Sequence, residues 1–249
     1  MLSWHYIWSQ DYAFFHHLIQ DTIKDDMIQL KPRFIEQTTF NKNLNNNNGH
    51  PLLGCLLKID YFIDILKSAS ENIKEEPYIF FTDADIVVKP GIYNVLKEYM
   101  DRGDSMVFLK EGGANSANIG AILFKVSPEV IEFCEIVRAR GLDDPNKSVR
   151  LDQDYVNDVL REYHGTWSLF KNSELCCSNE YKGNKDCALV QILSSNIAKE
   201  FHVAEKLFFT AQLGVEMGKY MQYVPEHIKI YIYKFQDLLA KSHTVKTRS

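Results

Sequence analysis

The chain alternates between two hydrophobic rhythms. Apolar residues recur at helical spacing at Phe15, Leu18, Ile19 and Ile23, and again at Ile59, Phe62, Ile63 and Leu66. The period returns at Ile92, Val95, Leu96 and Tyr99, and at Tyr155, Val156, Val159, Leu160 and Tyr163. Such stripes predict amphipathic helices over residues 12–23, 54–69, 91–102 and 152–163. Between them lie short runs of strand-like composition at 2–8, 27–36, 78–88, 105–110 and 117–126. A late segment, His227–Phe235, alternates Ile228, Ile230 and Ile232 and reads as a last strand. Ser127-Pro128 opens a further helix, with Ser at the cap and Pro in the first turn; that helix ends near Gly141. Residues 38–51 are rich in Asn and end in a proline, which predicts a polar loop. Residues 172–187 are polar and cysteine-bearing and read as a surface excursion. Strands alternating with helices, with no repeat and no linker, predict one α/β domain over 1–249. Its central sheet is expected to be mostly parallel and flanked by helices.

One strand carries a chemical signal. Residues 77–91 read Pro-Tyr-Ile-Phe-Phe-Thr-Asp-Ala-Asp-Ile-Val-Val-Lys-Pro-Gly. An apolar run buries itself, and a carboxylate carried in with it is costly unless paired, hydrogen-bonded or bound to metal. Asp83 and Asp85 therefore read as a metal site, or as a plain acidic turn at a strand end. Magnesium and manganese prefer oxygen ligands and bridge one or two carboxylates to substrate phosphates. In open α/β sheets the functional loops lie at the carboxyl ends of strands. Asp85 would hold the metal directly, and Asp83 would share it or meet a ribose.

Two further groups follow. Asn118-Ile119-Gly120 pairs an amide that both donates and accepts with a glycine that lets backbone approach a ligand; it also suits a simple turn into a strand. Asp152-Gln153-Asp154 stands at the start of the 152–163 helix. There an acid can be a cap or a first-turn residue, or it can stand beside a reacting carbon.

The order and spacing of the three groups, Asp85 to Asn118 to Asp152, resemble a family. The chain resembles the GT-A fold glycosyltransferases, which use nucleoside-diphosphate sugars. They carry an Asp-x-Asp after a hydrophobic strand, then Asn-x-Gly with apolar residues, then Asp-Gln-x-x-x-Asn. Asp83/Asp85, Asn118/Gly120 and Asp152/Gln153/Asn157 match in that order, over roughly residues 55–160. The set is most similar to the glycogenin and lipopolysaccharide galactosyltransferase group. The resemblance implies that Asp83 and Asp85 bind Mn2+ (or Mg2+) and the donor diphosphate. It implies that Asn118 and Gly120 line the donor sugar or acceptor. Asp152 and Gln153, with Asp154 beside them, would sit near the anomeric carbon. Lys58 takes the place of a basic residue that neutralises the diphosphate or pairs with the aspartates; it equally suits a helix lysine reaching for water. The family's late His-x-x-Gly-x-x-Lys is absent. Asp237 and His243 are candidates for the third metal ligand, while His202 is expected to pack. Lys241, Lys246 and Arg248 could close over the diphosphate or form a solvated tail. The resemblance implies transfer to an acceptor hydroxyl, by a hexosyl- or pentosyltransferase, with retention favoured. Ser9 and Tyr12, after the first strand, are candidates for setting donor choice.

Composition narrows the field. The net charge of −5 leaves no basic surface for nucleic acid. No apolar run reaches the length of a membrane helix, and the first residues lack the pattern of a signal peptide. Cys55, Cys134, Cys176, Cys177 and Cys187 are odd in number and contain no Cys-x-x-Cys. Free thiols in a reducing, cytoplasmic compartment are the expectation; a small disulfide loop or part of a zinc site among the last three is the minor one. Two rivals stand beside a transferase. One is a phosphohydrolase with an aspartyl nucleophile, although such motifs continue into Gly-Thr rather than Ile86-Val87. The other is a non-catalytic nucleotide-sugar-binding module of the same fold.

Overall fold

The computed structural model describes residues 1–36, 52–111, 116–144, 151–181, 187–194 and 201–233, with side chains from 56 onward in the second of these segments. Its centre is a six-stranded sheet. β1 (Leu2–Trp8), β2 (Ile28–Phe34), β3 (Tyr78–Thr82), β5 (Met106–Glu111), β6 (Ser116–Lys125) and β7 (Trp167–Leu169) lie in the order β2-β1-β3-β6-β5-β7. β1 runs parallel to β2 and β3, and β5 runs parallel to β7. Only β6 is reversed against its neighbours. A second sheet, β4 (Ile86–Val88), β9 (Leu189–Gln191) and β8 (Leu175–Cys177), has three strands in that order.

Both faces of the large sheet are buried, so its central strands are apolar on both sides. β3 shows the division. Tyr78 and Phe80 face one core with Trp4 and Tyr6, while Ile79 and Phe81 face a second with Ile59 and Phe62. The first core is covered by α1 (Ala13–Thr22), α3 (Ile92–Arg102), the small sheet and α6 (His202–Gln212). The second is covered by α2 (Leu52–Ser70), α4 (Pro128–Asp143) and α5 (Asp152–Leu160). The α/β class, the mostly parallel sheet and the flanking helices agree with the sequence pattern. Local signals hold as well. Ser127 Oγ accepts from Val130 N with Pro128 in the first turn, and Gly103 ends α3 at φ 81°.

Three expectations are corrected. The predicted strand 78–88 is two strands in two sheets, β3 and β4, with Asp83-Ala84-Asp85 at the crossing. The predicted strand at 227–235 is helical over 226–233, as far as the described residues extend. A strand would put Ile228 and Ile230 on one face, yet Ile228 is buried and Ile230 is 57% exposed. Ile228 and Ile232 share the helix face instead. Third, the 172–187 stretch is not all surface. Cys176, Cys177 and Cys187 are fully buried, and Cys176 and Cys177 lie in β8. The predicted loop at 38–51 lies outside the described residues. Among the described residues no helix is long and apolar enough to cross a membrane.

Candidate active site

The site lies where the chain leaves one sheet for the other. β3 is held on both sides by β1 and β6, so its carboxyl end is fixed. Asp83 N donates to Gly120 O at 2.8 Å, which extends the β3–β6 pairing by one bond. Ile86 N donates back to Ala84 O at 2.9 Å, a tight turn. Asp85 O then accepts from Ile192 N at 2.8 Å and starts the pairing of β4 with β9. The backbone therefore splays the two acids at a sheet junction.

Each acid meets a lysine. Lys58 Nζ, on α2, stands 2.7 Å from Asp83 Oδ1, with the two side chains 18% and 29% exposed. Lys206 Nζ, on α6, pairs with Asp85 Oδ2, and these side chains are only 12% and 9% exposed. Lys206 also reaches the Tyr12 hydroxyl at 3.5 Å. Burial pulls the Lys58 ammonium down, but Asp83 and Asp152 outweigh it and the group is held above the usual lysine range. Lys206 behaves alike: burial opposes, and Asp85 with Tyr12 raises it. Burial pushes the Asp152 carboxyl up, against the pull of Lys58. The recess thus gathers Asp83, Asp85 and Asp152 around two ammonium groups.

The other predicted residues are placed as follows. Asn118 is buried and its Oδ1 accepts from Gly120 N at 2.7 Å, so it shapes its own strand. β6 carries extra residues there, because the register with β5 jumps between Phe108 and Leu109. Asp152 is the first residue of α5, where its Oδ1 accepts from Gln153 N at 2.9 Å. Gln153 Nε2 donates to the Glu111 carboxylate at the end of β5. Asp154 Oδ2 accepts from Leu151 N at 2.8 Å, a helix-start bond. Asn157 clamps Ala117, accepting from its N and donating to its O, both at 2.8 Å, and so ties α5 to β6. Tyr12 stands at the recess through Lys206, whereas Ser9 makes no side-chain cap. His202 opens α6. Asp237, Lys241, His243, Lys246 and Arg248 lie outside the described residues.

A solved glycosyltransferase involved in the glycosylation of the major capsid of PBCV-1 is similar over 86% of this chain and 99% of its own. The TM-score is 0.59 and the identity 14%. The fold is a glycosyltransferase fold. Mouse xyloside xylosyltransferase 1, apo form, aligns over 76% of this chain and 96% of its own, with TM-score 0.44 and 12% identity. No family model and no curated protein matches the sequence.

Within this glycosyltransferase fold, the sequence reading overlooked Lys206 and Gln191. Gln191 left a signal. It interrupts the apolar run Ala-Leu-Val-Gln-Ile-Leu at 188–193, as the aspartates interrupt theirs, and it is buried at the same junction. Lys206 left none, since one lysine in an apolar helix is usually a reach to water.

A divalent cation at this recess would need oxygen donors. Among the described residues no group of three or more His, Cys, Asp and Glu stands together as a metal cluster. Asp83 and Asp85 are hard oxygen donors, and such ions are held through one or two carboxylates with phosphates completing the shell. Each of the two already pairs with a lysine ammonium, Lys58 and Lys206.

Proposed function

We propose that this protein is a glycosyltransferase that moves a sugar from a UDP- or GDP-sugar to an acceptor hydroxyl. The reading extends to a hexosyl- or pentosyltransferase of the glycogenin and lipopolysaccharide galactosyltransferase group, acting with retention and working in the cytoplasm. The observation that carries it is the charged recess at the end of β3, set in a glycosyltransferase fold. Three acids and two lysines converge on one spot. The lysines can meet phosphate oxygens, and a divalent cation on the acids would supply the positive charge that a diphosphate needs.

Asp83 and Asp85 would hold Mn2+ or Mg2+, which when bound stabilises charge on a departing diphosphate. Lys58 and Lys206 are the chain's own cations there, and each can exchange a carboxylate for a phosphate oxygen. Asn118 keeps Gly120 in place, and these two would line the donor sugar. Asp152 and Gln153 would face the anomeric carbon, with Gln153 oriented by Glu111. Asp154, which also caps that helix start, would stand beside them. Asp237 and His243 stay as candidates for a third metal ligand.

The test is a panel of UDP- and GDP-sugars with Mn2+, read as released nucleoside diphosphate. One donor is expected to turn over, and Asp85→Ala to lose about 100-fold or more while keeping its fold. Full activity in that variant sinks the site. Phosphate released from simple phosphomonoesters would make the protein a phosphohydrolase. Binding without turnover, whatever the acceptor, would make it a binding module.

A further inference from the structure

Gln191 ends β9, in register with Ile86 of β4 on one side and Cys177 of β8 on the other. Its side chain is buried and leaves the small sheet toward the large one. Nε2 donates to Asp83 Oδ2 at 3.1 Å. Oε1 and the Lys110 carbonyl oxygen each stand 3.9 Å from the Cys177 Sγ, whose single S–H donates to one of them at a time. The Asp83 carboxylate, paired with the Lys58 ammonium, accepts, so the amide turns its Nε2 toward Asp83. Asp83 is then held from two elements, through Oδ1 by Lys58 and through Oδ2 by Gln191. Two bonds leave lone pairs on both oxygens for a further partner.

The path of that side chain explains a glycine. A Cβ on Gly120 would stand 1.9 Å from Gln191 Nε2 and 2.2 Å from Cδ. A shift of a tenth or two does not relieve such an overlap; the atoms met are the end of a flexible side chain, so an alanine here would push the Gln191 amide off Asp83. Gly120 has no positive φ to excuse it, since Gly91, Gly103 and Gly214 are the positive-φ glycines among the described residues. The Asn-x-Gly pattern is thus a steric opening through which an amide crosses from β9 to Asp83.

We propose that Gln191 is the positioning residue of Asp83, and that Gly120 is glycine in order to admit it. The positioning half rests on the donor reading above. The steric half does not.

Two cycles test the halves separately. In the first, melting temperature is followed for Gly120→Ala, Gln191→Ala and the double variant. Gly120→Ala is expected to lower it by roughly 5–10 °C, as overpacking does in a domain of this size. The double variant is expected to regain most of that loss. A Gly120→Ala protein as stable as wild type, or a double variant no better than Gly120→Ala, overturns the steric half. In the second, binding of UDP and of GDP with Mn2+ is measured for Gln191→Ala, Asp83→Asn and their combination. Gln191→Ala is expected to weaken binding about 10-fold, within the range for residues that orient ligands. Added to Asp83→Asn, it is expected to change nothing further. Unchanged binding in Gln191→Ala, or losses that multiply in the combination, overturns the positioning role. If wild type binds neither nucleotide, the donor reading falls and takes the positioning role with it, while the melting cycle still decides the steric half.

Discussion

Lys206 carries a stability consequence of its own. Its ammonium is the partner of an Asp85 carboxylate that is only 9% exposed. Removing one member of a buried pair leaves the other charged and unsolvated, which costs about 3–5 kcal/mol. Replacing both by neutral groups of similar size costs much less. Lys206→Met is therefore expected to unfold at clearly lower urea than wild type. Lys206→Met with Asp85→Asn is expected to recover more than half of the difference. Equal losses in the single and double variants would show that the pair is not coupled. The prediction concerns the resting site. It holds whether or not a donor is found.

At the scale of elements, Asn157 is the joint between α5 and β6. Its side chain makes three hydrogen bonds, two with the backbone of Ala117 and one to Gln153 O. At roughly 1 kcal/mol net for each bond, Asn157→Ala is expected to lose about 2–3 kcal/mol in urea unfolding. It is also expected to lower turnover in the proposed transfer reaction, because the same helix start carries Asp152 and Gln153. Stability loss with turnover intact would separate the joint from the site. The elements also show what was legible in the sequence. Period and caps read well where one face of an element meets one core, as in α2, α3 and α4. Reading failed where packing chose between equals. Tyr78 to Val88 is apolar on both sides of the acids, so nothing local marks the change of sheet between Thr82 and Ile86. Ile228, Ile230 and Ile232 fit a strand by alternation, and only the burial of the first and exposure of the second reveal a helix. Asp83 and Asp85 were legible because burial and charge conflict within one run. Lys58 was legible only as part of a family pattern. Lys206 was not legible at all, because its partner lies 121 residues away and only the fold brings them together.

At the scale of the whole molecule, the sheet places a buried histidine on each of its faces. His5, on β1, meets the Tyr61 hydroxyl of α2 through Nδ1 at 3.0 Å. His16, on α1, meets the Tyr6 hydroxyl through Nδ1 at 3.0 Å on the opposite face. Burial pushes His5 down to about 4, with Lys31 adding to the effect and Glu76 opposing it. Burial pushes His16 down to about 4 as well, aided by His17. An unfolded histidine titrates near 6.5. Between about 4 and 6.5 the unfolded chain binds more protons than the folded one, so stability rises with pH across that window. The contribution is complete above 6.5 and is lost as pH falls toward 4. Asp152 works the other way. Its carboxyl is raised by burial, so the folded chain holds that proton more firmly and gains from acid. A wild-type curve alone mixes the two effects, and a difference between proteins separates them. His5→Gln with His16→Asn keeps a hydrogen-bonding side chain at both places and removes both titrations. Urea midpoints at pH 7.5, 6, 5 and 4.5 are expected to fall faster in wild type than in this variant. The gap should open below about pH 6.5, where an unfolded histidine takes up its proton. Parallel curves would mean that neither imidazole is held neutral by the fold.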